Sequence, residues 1–261
     1  MTAETADFRE HSADNQLLTA MAELRVHLLP ALVEPSELAG RTVVVVDALR
    51  ATTTICHALA AGAACVVPCL EIDEARAVAA KLGEVARLGG ERLGRKIEGF
   101  HFGNSPTEYT PAAVAGRTIV FTTTNGTRAM RRAAQAGELL LGAFVNLSSI
   151  VAAVRDAERI DIVCAGTNGV VTAEDALFAG AVADRLRRPV VELNDQALLA
   201  RDAWRSFEIC GRPLAAALRE CQGGRNLIGE GFDADIDTAA QIDACPVVPR
   251  LDLVAGRITL R

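Results

Sequence analysis

The chain is 261 residues long, half of them apolar and 23% charged, enough for one large α/β unit with a sizeable core. Its net charge of −6 sets bulk electrostatics against nucleic acid and anionic membranes, so an anionic ligand needs a local cationic site. No apolar run approaches the roughly 20 residues of a membrane helix, and the N-terminus lacks the basic and apolar regions of a signal peptide.

Residues 1–20 are polar and read as a flexible arm, with 21–261 as a single α/β domain. A first strand is expected over Leu24–Pro30. Thr42–Val46 is a β-branched run of the kind buried on both faces of a parallel sheet. A helix over Thr52–Ala61, a strand over Cys65–Pro68 and a helix over 72–87 follow, and Gly89-Gly90 opens a long loop to residue 115. Strand Thr118–Thr122, helix 127–136, strand Leu139–Phe144, helix Leu147–Asp156 and strand Ile160–Ala165 continue the alternation. Helices are expected over 173–187, 195–210 and 213–222, with 189–193 extended. A short helix near 234–240 and strands Val247–Val254 and Arg257–Leu260 complete the reading. Such alternation predicts a three-layer α/β/α architecture with a largely parallel sheet.

An internal pseudo-repeat runs through this pattern. Gly40–Val45 resembles Gly116–Phe121, and each run continues into a Thr-rich loop and an Ala-rich helix stopped by Gly. Ile160–Cys164 leads similarly into Thr167-Asn168-Gly169. Three strand–loop–helix units thus carry Thr, Asn and Gly at strand C-terminal ends, where open α/β sheets bind ligands. Turn-making alone accounts for such residues in any one unit.

Four stretches carry residues suited to phosphate chemistry. Asp47 ends the Val strand, and a carboxylate there can hold Mg²⁺ or act on phosphorus. Arg50 supplies a planar clamp, and Thr52 and Thr53 open a helix whose N–H groups favour anions. Ordinary helix capping explains the same residues without a ligand. A strand-tip Asp used as phosphoryl nucleophile needs a second acid as proton donor; the place two residues on is Leu49. Attack by metal-activated water therefore ranks above attack by Asp47.

The Gly-rich loop is the second stretch. It offers Arg92, Arg95 and Lys96 for a dianionic ligand, Glu91 and Glu98 as metal ligands or general base, and Asn104 and Ser105 beyond them. A merely solvated charged loop is the plain alternative. The third, Thr122–Arg128, places Thr124, Asn125, Gly126 and Thr127 before a helix whose first turn contains Arg128, in the manner of an oxyanion nest. In the fourth, Glu174 and Asp175 begin a helix, where the dipole favours acids in any case; otherwise they are a second carboxylate source for a metal. The four histidines, 11, 27, 57 and 101, show no metal-ligand spacing. The seven cysteines include no CxxC pair and read as reduced buried thiols of a cytoplasmic protein.

Taken in order, Val45–Thr54, Gly89–Arg92, Lys96–Phe100, Gly103–Pro106, Thr122–Ala129, Cys164–Gly166, Glu174-Asp175 and Asp243–Pro249 resemble the signature blocks of 2-phosphosulfolactate phosphatases. The resemblance spans about residues 24–255. It implies a catalytic domain that hydrolyses (R)-2-phospho-3-sulfolactate to 3-sulfolactate and phosphate with Mg²⁺, a step toward coenzyme M. The residue roles are inferred from the four stretches rather than from the resemblance: Asp47, Arg50 and Arg128 are expected to be catalytic. Asp47, Glu91, Glu174 and Asp175 hold the metal. Thr52, Thr53, Arg92, Arg95, Lys96, Asn104, Ser105, Thr124, Asn125, Gly126 and Thr127 bind substrate. The expected partner is a small anionic phosphate ester, with neither nucleic acid nor membrane, and a homodimer is the expected assembly. Two alternatives stay open: the same machinery acting on another phosphorylated 2-hydroxy acid, and a non-catalytic anion- or nucleotide-binding module. No strand is followed by the GxGxxG of a dinucleotide binder.

Overall fold

The computed structural model describes residues 22–186 and 191–261. The predicted arm and residues 187–190 lie outside the described residues. The strands are β1 (Ala22–His27), β2 (Thr42–Val46), β3 (Cys65–Pro68), β4 (Ala86–Arg92), β5 (Arg95–Lys96), β6 (Thr118–Thr122), β7 (Glu138–Gly142), β8 (Arg159–Cys164), β9 (Val191–Leu193), β10 (Pro249–Asp252) and β11 (Arg257–Leu260). The helices are α1 (Ala51–Ala60), α2 (Ile72–Leu82), α3 (Pro111–Val114), α4 (Gly126–Arg132), α5 (Leu147–Val154), α6 (Ala173–Arg185), α7 (Asp195–Cys210), α8 (Leu214–Glu220), α9 (Gln222–Gly229) and α10 (Asp233–Ala239).

The strands form one sheet in the order β5-β4-β6-β3-β11-β10-β7-β2-β8-β1-β9. Pairing is parallel through β4-β6-β3 on one flank and β7-β2-β8-β1-β9 on the other. Two hairpins are antiparallel: β4–β5 at one edge, and the C-terminal β10–β11, which runs between β7 and β3 at the centre. The predicted largely parallel sheet is present, and so are layers on both its faces. Along β2 the pleat sends Val44 and Val46 into a core shared with α5, α6 and α7. Val43 and Val45 point the other way, into a core with α1 and α4. This two-sided burial is why the β2 sequence is continuous valine rather than alternating.

The sheet also curls. Five strands separate β2 from β4, which in a flat sheet is about 29 Å at the usual ~4.8 Å spacing. Yet Asp47 at the tip of β2 and Glu91 in β4 line one cavity. Curling of the twisted sheet around α1 and α4, whose residues share one core with β2, β7, β3 and β6, closes that distance.

The stretch from 83 to 115 departs from expectation. Helix α2 stops at Leu82, and Ala86–Arg92 is a strand paired in parallel with β6 rather than helix followed by loop. Gly89 and Gly90 read as chain breakers, but here they permit close packing. A Cβ at Gly90 would fall 1.9 Å from the Thr122 carbonyl oxygen, at a φ of +130° that L side chains rarely adopt. Gly90→Ala is therefore expected to cost more than about 2 kcal/mol of stability, the range of an overpacked site with added backbone strain. A chemical denaturation midpoint within error of the parent would refute this.

Helix α9 was also unforeseen. The predicted helix 213–222 ends at Glu220, the chain extends at Cys221 (ψ 160°), and a new helix starts at Gln222. Leu218, Leu227 and Ile236, from α8, α9 and α10, are buried in the α6–α7 core. Among the described residues no helix is long and apolar enough to cross a membrane.

Candidate active site

A cavity of 470 Å³ opens at the C-terminal ends of β2, β4, β6 and β8, the ligand position anticipated for the repeated strand–loop–helix units. Asp47 lies in it, 7% exposed, at the end of β2. One carboxylate oxygen accepts from the Ala51 N–H at 3.3 Å. The other faces the start of α4, since a Cβ at Gly126 would lie 2.8 Å from it. Burial, then the neighbouring Glu91 and Glu174 carboxylates, push the Asp47 carboxyl from its ordinary 3.8 up to about 7.

Glu91 lines the same cavity and is held by backbone. Its Oε1 accepts from the Thr124 N–H at 2.7 Å and its Oε2 from the Gly94 N–H at 2.7 Å. One acid thereby ties the nest after β6 to the tip of the β4–β5 hairpin. Glu174 lies behind Gly223, where a Cβ would come within 2.2 Å of Glu174 Oε1, and only glycine leaves room for both. Glu174 Oε2 is buried and has no hydrogen-bond partner, and burial raises this carboxyl as well. Asp175 is spoken for: its oxygens accept from the Ala48 and Gly166 N–H groups, both at 2.9 Å, joining the β2 and β8 loops.

Arg50 is 3% exposed and lines the cavity. Its guanidinium donates to Asp235 at 2.6 Å and to the Gly94 carbonyl at 3.2 Å, and stacks on the Phe232 ring 4.4 Å from its centroid. Ser105 reaches the same Asp235 carboxylate at 2.7 Å. Asn104, Thr124 and Asn125 line the cavity. The Asn125 Oδ1 accepts from the Asn168 N–H at 3.1 Å, so two repeat loops meet there.

Other predicted site residues are elsewhere. The Thr52, Thr53 and Thr127 hydroxyls donate to the carbonyls of Asp47, Ala48 and Thr123 at 2.9, 2.8 and 2.7 Å; they brace their own loops and do not line the cavity. Arg128 is exposed on α4 and lines a shallow depression with Pro30, Pro35 and Arg131. Helical periodicity accounts for this: buried Thr127 and Met130 face the core and turn Arg128 outward. Arg92, Arg95 and Lys96 line a second depression, outside the acid-lined cavity. Arg92 donates to the Leu70 carbonyl at 2.6 Å and to Thr122 Oγ1 at 2.9 Å, while Arg95 pairs with Glu230 at 2.6 Å on the surface.

The cavity wall opposite was not foreseen. It is built by α9 through Gly223, Arg225 and Asn226. A cation within a Gly-rich run, Gln222–Arg225, was the signal available. The hairpin tip completes the mouth with Leu93, 81% exposed.

Acids at strand tips, a backbone nest and amide donors around one crevice define an α/β enzyme site suited to an anionic ester. A family model described as 2-phosphosulpholactate phosphatase matches residues 27–253. The chain is 45% identical over 220 residues to a probable 2-phosphosulfolactate phosphatase of Symbiobacterium thermophilum, covering 82% of this chain and 92% of that one. It is 41% identical over 211 residues to a protein of the same description from Thermotoga petrophila, covering 81% and 89%. A Clostridium acetobutylicum relative so described is 34% identical over 223 residues, covering 84% and 92%. The chain is thus a phosphoric monoester hydrolase. It belongs to the 2-phosphosulfolactate phosphatase family.

Proposed function

We propose that this phosphatase hydrolyses 2-phosphosulfolactate to 3-sulfolactate and phosphate in the cytoplasm, using Mg²⁺ held by Asp47 with Glu91 and Glu174 beside it. The observation that carries this reading is that Asp47 and Glu91 line one strand-tip crevice, with Glu174 behind Gly223 close enough to raise the Asp47 carboxyl. Asp47 is held near neutrality by burial and by its acidic neighbours, and a buried Glu174 oxygen lacks a partner. A divalent cation would relieve the mutual repulsion and satisfy the orphaned oxygen. Among the described residues no three His, Cys, Asp or Glu side chains form a metal-holding group. Mg²⁺ is commonly bound through only one or two carboxylates, with waters and substrate phosphate completing its shell. Bound there, it would supply Lewis-acid polarisation of a phosphoryl oxygen and a more acidic attacking water.

The remaining roles belong to the chain's own groups. Asn125 and Asn104 have amides at the cavity surface to orient phosphoryl oxygens. Arg50 is fixed between Asp235, the Gly94 carbonyl and Phe232, so its position is set before substrate arrives. Asp175 positions the β2 and β8 loops through backbone N–H groups, and it does not line the cavity as Glu91 does. All seven cysteines are free thiols, which supports a reducing compartment.

Phosphate release from 2-phosphosulfolactate, measured before and after EDTA, is the direct test. Activity is expected to stop on chelation and return with Mg²⁺. Undiminished turnover after exhaustive chelation would remove the metal from the reading. Turnover of phospholactate without turnover of phosphosulfolactate would move the substrate to another phosphorylated hydroxy acid.

A further inference from the structure

The acid-lined cavity has two unlike walls, and the second one has no task in the reading above. Among its lining residues the cations are Arg50 and Arg225. Arg50 is neutralised by Asp235. Arg225 is not: its Nη1 donates to the Glu220 carbonyl and its Nη2 to Gln222 Oε1 at 2.8 Å, both neutral acceptors. Those bonds hold the guanidinium at the start of α9, where Gln222 and Arg225 are exposed and Gly223 and Gly224 are buried. A net positive group thus stands in a cavity whose other ionisable lining groups are Asp47, Glu91, Glu230 and the Asp235-paired Arg50. Glu230 is itself engaged by Arg95.

One neighbour sharpens the point. Asn226, one residue beyond Arg225, lines the same wall. A ligand reaching from Asp47 to α9 therefore meets acids at one end and an uncompensated guanidinium with the Asn226 amide at the other. That is a complement for a phosphate ester with a second anionic group, carboxylate or sulfonate. The Gly-rich-loop cations, Arg92, Arg95 and Lys96, cannot supply it, because they line a different depression.

We propose that Arg225 is the specificity-determining residue of this enzyme, binding the non-reacting acidic group of the substrate from the first turn of α9. The proposal deepens the reading above and rests on it for the location of the phosphoryl end. It predicts discrimination: esters bearing a second anion are preferred over singly functional ones, and the preference resides in α9.

The test uses the full chain and two substrates, 2-phosphosulfolactate and p-nitrophenyl phosphate. In Arg225→Ala the ratio of their kcat/KM values is expected to fall at least about tenfold, the scale of one charge-assisted hydrogen bond. Arg225→Lys should recover part of the ratio, since a point charge replaces a fork. The double variant Arg92→Ala/Arg95→Ala should leave the ratio within about threefold. Equal losses on both substrates in Arg225→Ala would overturn the proposal by assigning Arg225 to the phosphoryl end, and an unchanged ratio would overturn it outright. A second readout does not need turnover. Calorimetric binding of 3-sulfolactate, which carries both acidic groups but no phosphate, should weaken by a similar factor in Arg225→Ala; unweakened binding also overturns the proposal. Should the wild type fail to hydrolyse phosphosulfolactate, the substrate reading falls. The phospholactate to p-nitrophenyl phosphate ratio then judges Arg225 by the same criterion.

Discussion

Asp47→Asn is expected to lower phosphate release by at least about 10³-fold while making the protein more heat-stable at neutral pH. Both outcomes come from one geometry. The carboxylate is buried at the cavity floor beside Glu91 and Glu174, and its pKa is raised from 3.8 to about 7. The folded state therefore holds the Asp47 proton more tightly than the unfolded state does. Protonation of this group favours folding. Its contribution is intact below about pH 4, is lost progressively as pH rises toward 7, and stays lost above that. The penalty at pH 8 is on the order of 4 kcal/mol, shared with the two neighbouring acids. An amide has the size of the acid, keeps an acceptor for the Ala51 N–H, and carries no charge. Melting in EDTA should show the variant above the parent at pH 8, with the gap smaller at pH 5. Added Mg²⁺ should raise the parent's Tm more than the variant's, by ligand linkage. A variant less stable than the parent at pH 8 would contradict this account of the site's electrostatics.

Asp161→Ala is expected to have the largest effect on stability and little on chemistry. Asp161 is 1% exposed in β8. Its carboxylate takes a hydrogen bond from Arg41 and lies 2.7 Å from His27 Nε2. Arg41 is also buried, and its second partner, Glu23, lies 2.8 Å away. Removing the shared acid strands a buried guanidinium with a single carboxylate, and Arg41 Nη2 already lacks a partner. Breaking a buried pair from one side costs roughly 3–5 kcal/mol, and about 10 °C of Tm for a chain of this length. None of Glu23, His27, Arg41 and Asp161 lines the site cavity, so kcat/KM below the transition should hold. A Tm loss under about 2 °C would mean that the network contributes nothing net.

The sequence is most transparent where one physical signal dominates. The valine run of β2 could only be a strand buried on both faces, and Asp47 at its tip marks the site. It is least transparent where tertiary contact overrides local preference. Gly89-Gly90 carries no strand signal, and the close pass of β6 that requires glycine is not encoded nearby. Arg92, Arg95 and Lys96 looked like a ligand clamp because their charges are adjacent in sequence. Pairing of β4 with β6 turns Arg92 to the Leu70 carbonyl and Thr122, and Arg95 is taken up by Glu230, so none of the three lines the cavity with Asp47 and Glu91. Arg128 misled by position alone, since one residue along a helix is a 100° turn. Arg225 was hidden by two glycines that argue against the helix on which it sits. No local rule could reveal that Asp47 and Glu91, with five strands between theirs, share a crevice.

The β10–β11 hairpin couples the two halves of the sheet. It is the seam between a block of β5, β4, β6 and β3 and a block of β7, β2, β8, β1 and β9. Asp47 belongs to the second block and Glu91 to the first. The hairpin fills the gap between β3 and β7 and covers edges that would otherwise lie open to another strand. The spacing of the two acids, and with it the width of the crevice, is therefore set by a pair of strands that carries neither of them.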